Sequence, residues 1–114
     1  MKTFEMKTVI HFGDNSLERL KVIPYKRVLI ITDPFIANGD MIDLITAPLK
    51  SGGIQYDLFT DVVPDAPIGK IAEGVKKFLE YQPEAVIAVG GGSAIDSSKA
   101  IREFALKINN YGKV

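Results

Sequence analysis

The stretch Val89-Gly90-Gly91-Gly92-Ser93-Ala94-Ile95-Asp96-Ser97-Ser98-Lys99 decides the fold. Before it stands Ala85-Val86-Ile87-Ala88-Val89, an unbroken apolar run that suits a strand buried on both faces. After it, Ile101, Phe104, Ala105 and Ile108 recur at i, i+3, i+4 and i+7, which predicts a helix from about Ser93. A buried strand thus runs through three glycines directly into a helix. Glycines there permit unusual φ/ψ and remove every Cβ from the turn, so a ligand can approach the backbone closely. The helix N-terminus beyond offers unpaired N–H groups and about half a positive charge. Together these features suit a phosphate or pyrophosphate. Ser93 can cap the helix or donate its hydroxyl to a phosphate, and Ser93 with Asp96 has the spacing of a capping box. Lys99, about two turns in, can reach back toward the ligand or pair with Asp96 at i, i+3. The same three glycines can also be a purely structural turn. Neither standard fingerprint fits: G-x-G-x-x-G requires glycine where Ile95 stands, and no Gly-Lys-Ser/Thr occurs.

Upstream, the pattern repeats. Val28-Leu29-Ile30-Ile31 is a second doubly buried strand, ended by Thr32-Asp33-Pro34. A helix over roughly 38–51 follows, with Met41, Leu44, Ile45 and Leu49 at helical spacing, and Pro48 predicts a kink or an early end. Residues 54–60 read as a strand and 61–67 as a proline-rich loop. A helix over about 67–81 carries the stripe Ile68, Ile71, Ala72, Val75, Phe78 and Leu79, and Pro83 stops it. Toward the N-terminus, residues 2–12 read as one or two short strands, Gly13-Asp14-Asn15 as a turn, and Ser16 as the cap of a short helix with Leu17 and Leu20. Asn109-Asn110-Tyr111-Gly112 closes the ordered pattern.

This alternation predicts an α/β fold: a Rossmann-like parallel sheet with helices on both faces, joined by right-handed crossovers. Ligands of such sheets sit at the carboxyl ends of the strands. Two places qualify, Thr32-Asp33-Pro34-Phe35 and Gly90-Gly91-Gly92-Ser93.

Composition narrows the function classes. Fourteen basic and fourteen acidic residues cancel, and such a chain is a poor general binder of nucleic acid, whose affinity comes mostly from phosphate neutralisation. The longest apolar run is about five residues, far below the ~20 that a membrane helix needs. The first residues, with charges at Lys2, Glu5 and Lys7, do not form a secretory signal. The absence of cysteine excludes disulfides and thiolate metal sites and fits a cytoplasmic location. With 114 residues the chain reads as one domain.

Gly90-Gly91-Gly92-Ser93-x-x-Asp96-x-x-Lys99-Ala100 resembles the signature G-G-G-S-x-x-D-x-x-K-A of the iron-containing (group III) alcohol dehydrogenases. Phe12-Gly13 with Ser16-Leu17 is similar to that family's opening, residues 28–33 to its first long strand, and Val62-Val63-Pro64-Asp65 to a loop of the form V-x-P-N/D-P-T. The propanol and butanol dehydrogenase branch is the most similar. Dehydroquinate synthase and glycerol dehydrogenase share the triple glycine but usually not this Ser-x-x-Asp-x-x-Lys continuation.

The resemblance implies a partial dinucleotide-binding domain spanning 1–114, truncated before a helical metal domain. It implies NAD as cofactor, with NADP less favoured, and primary alcohols and aldehydes as substrates. Gly90, Gly91, Gly92 and Ser93 would hold the pyrophosphate, with Asp96 and Lys99 in the same signature. Asp33 would bind the adenosine ribose and repel a 2′-phosphate, or else serve only as a turn or cap before Pro34. Ala66-Pro67 departs from the family's proline-threonine, and Asp65 is expected to cap the helix near Pro67.

The family's iron, or another divalent metal, is held by an Asp and three His downstream of these residues. His11, the single histidine, cannot build a site that needs about three protein ligands. No catalytic residue is assigned: Asp14, Asp57, Asp61 and Glu73 read as solvated charges. An exposed strand edge and a homo-oligomer are expected. A non-catalytic nucleotide-binding or self-associating module remains the alternative to a dehydrogenase.

Overall fold

The computed structural model describes residues 8–10, 25–65 and 67–112. The chain forms β1 (Thr8–Ile10), β2 (Arg27–Ile31), α1 (Pro34–Ala37), α2 (Met41–Ser51), β3 (Gln55–Phe59), α3 (Ile68–Tyr81), β4 (Ala85–Val89) and α4 (Gly92–Gly112). The strands make one four-stranded sheet in the order β1-β4-β2-β3, and every pairing is parallel. His11, the Gly13-Asp14-Asn15 turn and the short helix after Ser16 lie outside the described residues.

The two apolar runs occupy the centre of the sheet because their side chains need cover on both faces. All of β4 is buried, as is β2 from Val28 onward. Alternation then sorts the side chains. Val28, Ile30, Ala85, Ile87 and Val89 pack with Ile36, Ile45, Leu49 and Ile54. Leu29, Ile31 and Val86 pack on the opposite face with Val75, Phe78, Ala94, Ile101 and Ala105. Thus α1 and α2 cover one face, and α3 and α4 the other.

Several elements differ from the sequence pattern. The expected helix over 38–51 is two: α1 is a single turn, and α2 begins only at Met41. The break has a local cause, since Asp33 caps α1 through its carboxylate, which starts a helix earlier than the apolar spacing suggests. Within α2 the buried residues are Ile45, Thr46 and Leu49, whereas Leu44 is exposed. Pro48 does not end α2, which runs on to Ser51. Proline removes one amide donor, and the carbonyl one turn earlier belongs to exposed Leu44, on the solvent side. On the other face, Ile68, Phe104 and Ile108 leave the predicted stripes and line an apolar groove of about 550 Å³ between α3 and α4. Helix α4 continues through Asn109 and Asn110 to Gly112.

β3 forms one edge of the sheet. There the Leu58 N–H donates to the Asp57 carboxylate at 2.8 Å, and Lys77 pairs with the same carboxylate at 2.8 Å. A charge mid-strand blunts an edge against pairing with another chain. At the opposite end of the sheet from the glycine loop, Glu84 accepts from the Lys26 and Arg27 amides. Nearby, Arg27 lies 5.5 Å over the Tyr81 ring. Burial, with help from Asp57, raises the Tyr81 pKa, and Arg27 opposes that shift.

Gly74 marks the tightest approach of α3 to α4. A Cβ there would overlap the Ile101 Cδ1 atom and sit 2.8 Å from its Cγ1. Alanine normally gains about 1 kcal/mol over glycine inside a helix. Here Gly74→Val is expected to destabilise the fold by about 1–3 kcal/mol, as overpacking does. Urea denaturation followed by circular dichroism reads this; an unchanged midpoint would mean that Ile101 can move aside at no cost.

Candidate cofactor site at the carboxyl ends of the central strands

β2 and β4 are neighbours, with Ile31 paired to Ala88, so the segments leaving their carboxyl ends emerge side by side. The Thr32 side chain ties them together. Its hydroxyl, fully buried, donates to the Val89 carbonyl at 2.8 Å, just before the glycines. The Thr32 amide donates to the Phe59 carbonyl at 3.0 Å, which brings in the end of β3 as well.

From this anchor the two candidate segments face each other. Asp33 is extended, and its Oδ1 accepts from the Ile36 amide at 2.8 Å. Its cap role is therefore real, but it occupies one oxygen only. A Cβ placed on Gly90 would lie 3.7 Å from the other, Oδ2, and 3.4 Å from Ile36 Cδ1. Gly90 has φ +132°, a conformation that side chains rarely adopt, so glycine is required there by the backbone as well as by space. Gly91 and Gly92 are different. A Cβ on either would meet nothing within 4 Å, and both residues are exposed. The structure therefore divides the triple glycine: Gly90 makes the turn, and Gly91 and Gly92 keep an open approach above the start of α4.

Helix α4 begins at Gly92, one residue earlier than expected, with the Gly91 carbonyl accepting from Ala94 at 3.1 Å and Ile95 at 3.3 Å. This corrects the reading of Ser93 as a cap. Ser93 sits inside the first turn, and a capping box with Asp96 does not form. No Asp96–Lys99 ion pair occurs either; both side chains are exposed, and Lys99 is unpaired among the described residues.

Ser93, Asp96 and Ser97 instead line a recess of about 300 Å³ beside the glycine loop, closed by Val63, Asp65, Ile71 and Ala100. Asp65 is a second correction. The first residue flanking α3 is Pro67, with no side-chain cap, while Asp65 adopts a left-handed backbone at φ +50° and borders this recess. Its αL conformation is one that Asp tolerates better than most residues. Two carboxylates, Asp65 and Asp96, and two hydroxyls, Ser93 and Ser97, make that recess a hydrogen-bonding surface. The other acids read as solvated charges hold salt bridges where described: Asp57 with Lys77, and Asp61 with Lys70 at 3.8 Å.

The model of the iron-containing alcohol dehydrogenase family matches residues 7–113. The chain belongs to that family. It is 34% identical over 112 residues to 1-propanol dehydrogenase of Citrobacter freundii, covering 95% of this chain and 30% of that protein. It is 31% identical over 106 residues to the NADPH-dependent butanol dehydrogenase of Clostridium saccharobutylicum, covering 89% of this chain and 26% of that one. Among solved structures, the iron-containing alcohol dehydrogenase of Thermococcus thioreducens superposes with a TM-score of 0.73 at 29% identity, over 90% of this chain and 28% of that one. NADH-dependent butanol dehydrogenase A of Thermotoga maritima gives a TM-score of 0.69 at 26% identity, over 89% of this chain and 27% of that one. The chain thus spans less than a third of the length of these relatives. The α/β architecture with a parallel sheet is that of the family.

Iron is the group that the family name implies. Among the described residues no three His, Cys, Asp or Glu converge to hold a metal ion, so these residues do not fit the metal and no step is derived through it. No helix among them is long and apolar enough to cross a membrane.

The buried Thr32 hydroxyl was invisible to the motif reading. Its one signal is a polar residue continuing an apolar strand directly before Asp33. Thr32→Val keeps the shape and removes the donor, leaving the Val89 carbonyl unsatisfied; a loss of about 1–3 kcal/mol is expected. Gly90→Ala should cost a similar amount from its positive φ, of order 1–3 kcal/mol. Gly92→Ala should stay within about 0.5 kcal/mol, as substitutions away from such constraints do. Thermal denaturation of the three variants checks the ordering, and equal losses at Gly90 and Gly92 would contradict the division of labour within the loop.

Proposed function

We propose that the chain is the cofactor-binding portion of an NAD-dependent, iron-containing alcohol dehydrogenase that interconverts primary alcohols and aldehydes. The observation that carries this reading is the pairing of an open, side-chain-free helix start at Gly91 and Gly92 with the unoccupied oxygen of Asp33 across Gly90.

In this reading the amides at the start of α4 bind a pyrophosphate, helped by the helix dipole. The Ser93 hydroxyl, in the first turn, adds a neutral donor to the same group. Lys99, exposed and unpaired, contributes positive charge to the first turns of α4, and Asp96 accepts from ligand hydroxyls in the adjoining recess. Asp33 accepts from the adenosine ribose through Oδ2 while Oδ1 stays on the Ile36 amide. The bound nicotinamide supplies hydride transfer. The residues that would hold the metal and position the alcohol are not among those described here, so the contribution of these elements is recognition and orientation of the cofactor.

Cofactor choice follows from charge. A carboxylate accepts hydrogen bonds from a ribose diol and repels a 2′-phosphate, so Asp33 favours NAD over NADP. The named relatives include one NADPH-dependent and one NADH-dependent butanol dehydrogenase, so family membership leaves the choice to such local residues.

Calorimetric titration with NAD, NADP and ADP-ribose tests the reading. NAD and ADP-ribose are expected to bind and NADP to bind more weakly; failure of all three at millimolar concentration would overturn it. Gly91→Val should abolish binding by filling the open approach. Asp33→Asn retains a good N-cap for α1 but removes the charge. It should therefore raise the ratio of NADP to NAD affinity by about tenfold, equivalent to about 1.4 kcal/mol, without a large change in melting temperature. An unchanged ratio would remove Asp33 as the selector.

A further inference from the structure

Phe35 is the most exposed large apolar side chain described, at 80%. Leu44, Ile68, Phe104 and Ile108 are exposed less, and the last three share the groove between α3 and α4. Phe35 stands apart from that groove, two residues after Asp33, on the turn that leaves β2. Its backbone is held firmly. Asp33 caps the turn, Pro34 occupies its first position, Ile36 is buried in the core, and the Ala37 and Asn38 amides close it at 3.0 Å on the Asp33 and Pro34 carbonyls. The phenyl ring is therefore carried into solvent on a rigid support. Isolated exposed apolar residues are ordinary; the location of this one is what gives it meaning.

The order of groups across the sheet sets a direction. The open glycines follow β4, and Asp33 follows β2, the next strand. A ligand with its diphosphate on the glycines and its ribose on Asp33 runs from β4 toward β2, and the group beyond the ribose continues past Asp33 onto α1. We propose that Phe35 is the stacking platform for the base of the adenosine half of the cofactor, a specificity-determining residue of the dinucleotide site. The inference rests on the reading given under Proposed function. It assigns the flat π-face of Phe35 to an aromatic base, the one part of such a ligand that neither the glycines nor Asp33 would touch. Stacking on an aromatic ring tolerates any base, so Phe35 contributes affinity for the nucleoside portion, while discrimination at the 2′ position stays with Asp33.

The test uses the full chain, which contains no tryptophan. Affinity for ADP-ribose and for inorganic pyrophosphate, a probe without a base, is measured by titration in wild type, Phe35→Ala and Phe35→Trp. Phe35→Ala is expected to weaken ADP-ribose by roughly tenfold or more, as loss of one base–aromatic stack does, and to leave pyrophosphate within twofold. Phe35→Trp is expected to restore ADP-ribose affinity, and its single indole emission should be quenched by ADP-ribose but not by pyrophosphate. Wild-type affinity for ADP-ribose in Phe35→Ala overturns the assignment, while the dinucleotide reading survives if Gly91→Val still abolishes binding. Parallel loss of pyrophosphate also overturns it, because the residue would then act through the phosphate site. Failure of the wild-type chain to bind ADP-ribose overturns both.

Discussion

The hydrogen bond from the Thr32 hydroxyl to the Val89 carbonyl holds the functional end of this molecule together. It lies in a fully buried place, where a lost partner leaves a desolvated carbonyl with no replacement from water. It joins the last residue before Asp33 to the last residue before Gly90. Without it, the carboxyl ends of β2 and β4 would be linked only by their ladder, which runs out at the Ile31–Ala88 pair. Everything beyond inherits its position from this link: the capped turn α1, the strained glycine and the first turn of α4.

That anchor is possible because two strands are covered on both sides. Val28 to Ile31 and Ala85 to Val89 can be adjacent and central only in a parallel sheet with helices above and below. Central strands must end in connections that cross the top of the sheet, and the glycines let one of those connections turn into a helix with little bulk. The same geometry puts Gly90 against Asp33 and Ile36, so the backbone constraint and the ligand approach are neighbouring parts of one loop.

Much of this was legible in the residues. The apolar runs, the alternation and the triple glycine specified the sheet, its parallel sense and the end at which a ligand would sit, because each depends on burial or on backbone freedom. Asp33 was legible as an acid at a strand end, though its simultaneous use as a cap and as a partner of the loop needed coordinates. The readings that failed were those that rest on one-residue phase. Ser93 as a cap depended on the helix starting at Ser93, and it starts at Gly92. Asp65 as a cap depended on a helical approach to Pro67, and its left-handed backbone directs the chain otherwise. Apolar spacing alone also overstated the core, since Leu44, Ile68, Phe104 and Ile108 have the right period but lie at the margins of their helices' buried faces. Thr32 and Gly74 carried no periodic signal; each matters through a single close contact made by distant segments.

The sheet also divides the apolar interior into two sets that share no residue, one beneath α1 and α2 and one beneath α3 and α4. Substitutions on separate sets, distant and without common partners, combine additively. The helices behind Asp33 can therefore drift in sequence without forcing compensating change behind the glycine loop. A lineage could retune the turn that follows β2, and with it the choice of nucleotide, while leaving the helix that starts at Gly92 untouched.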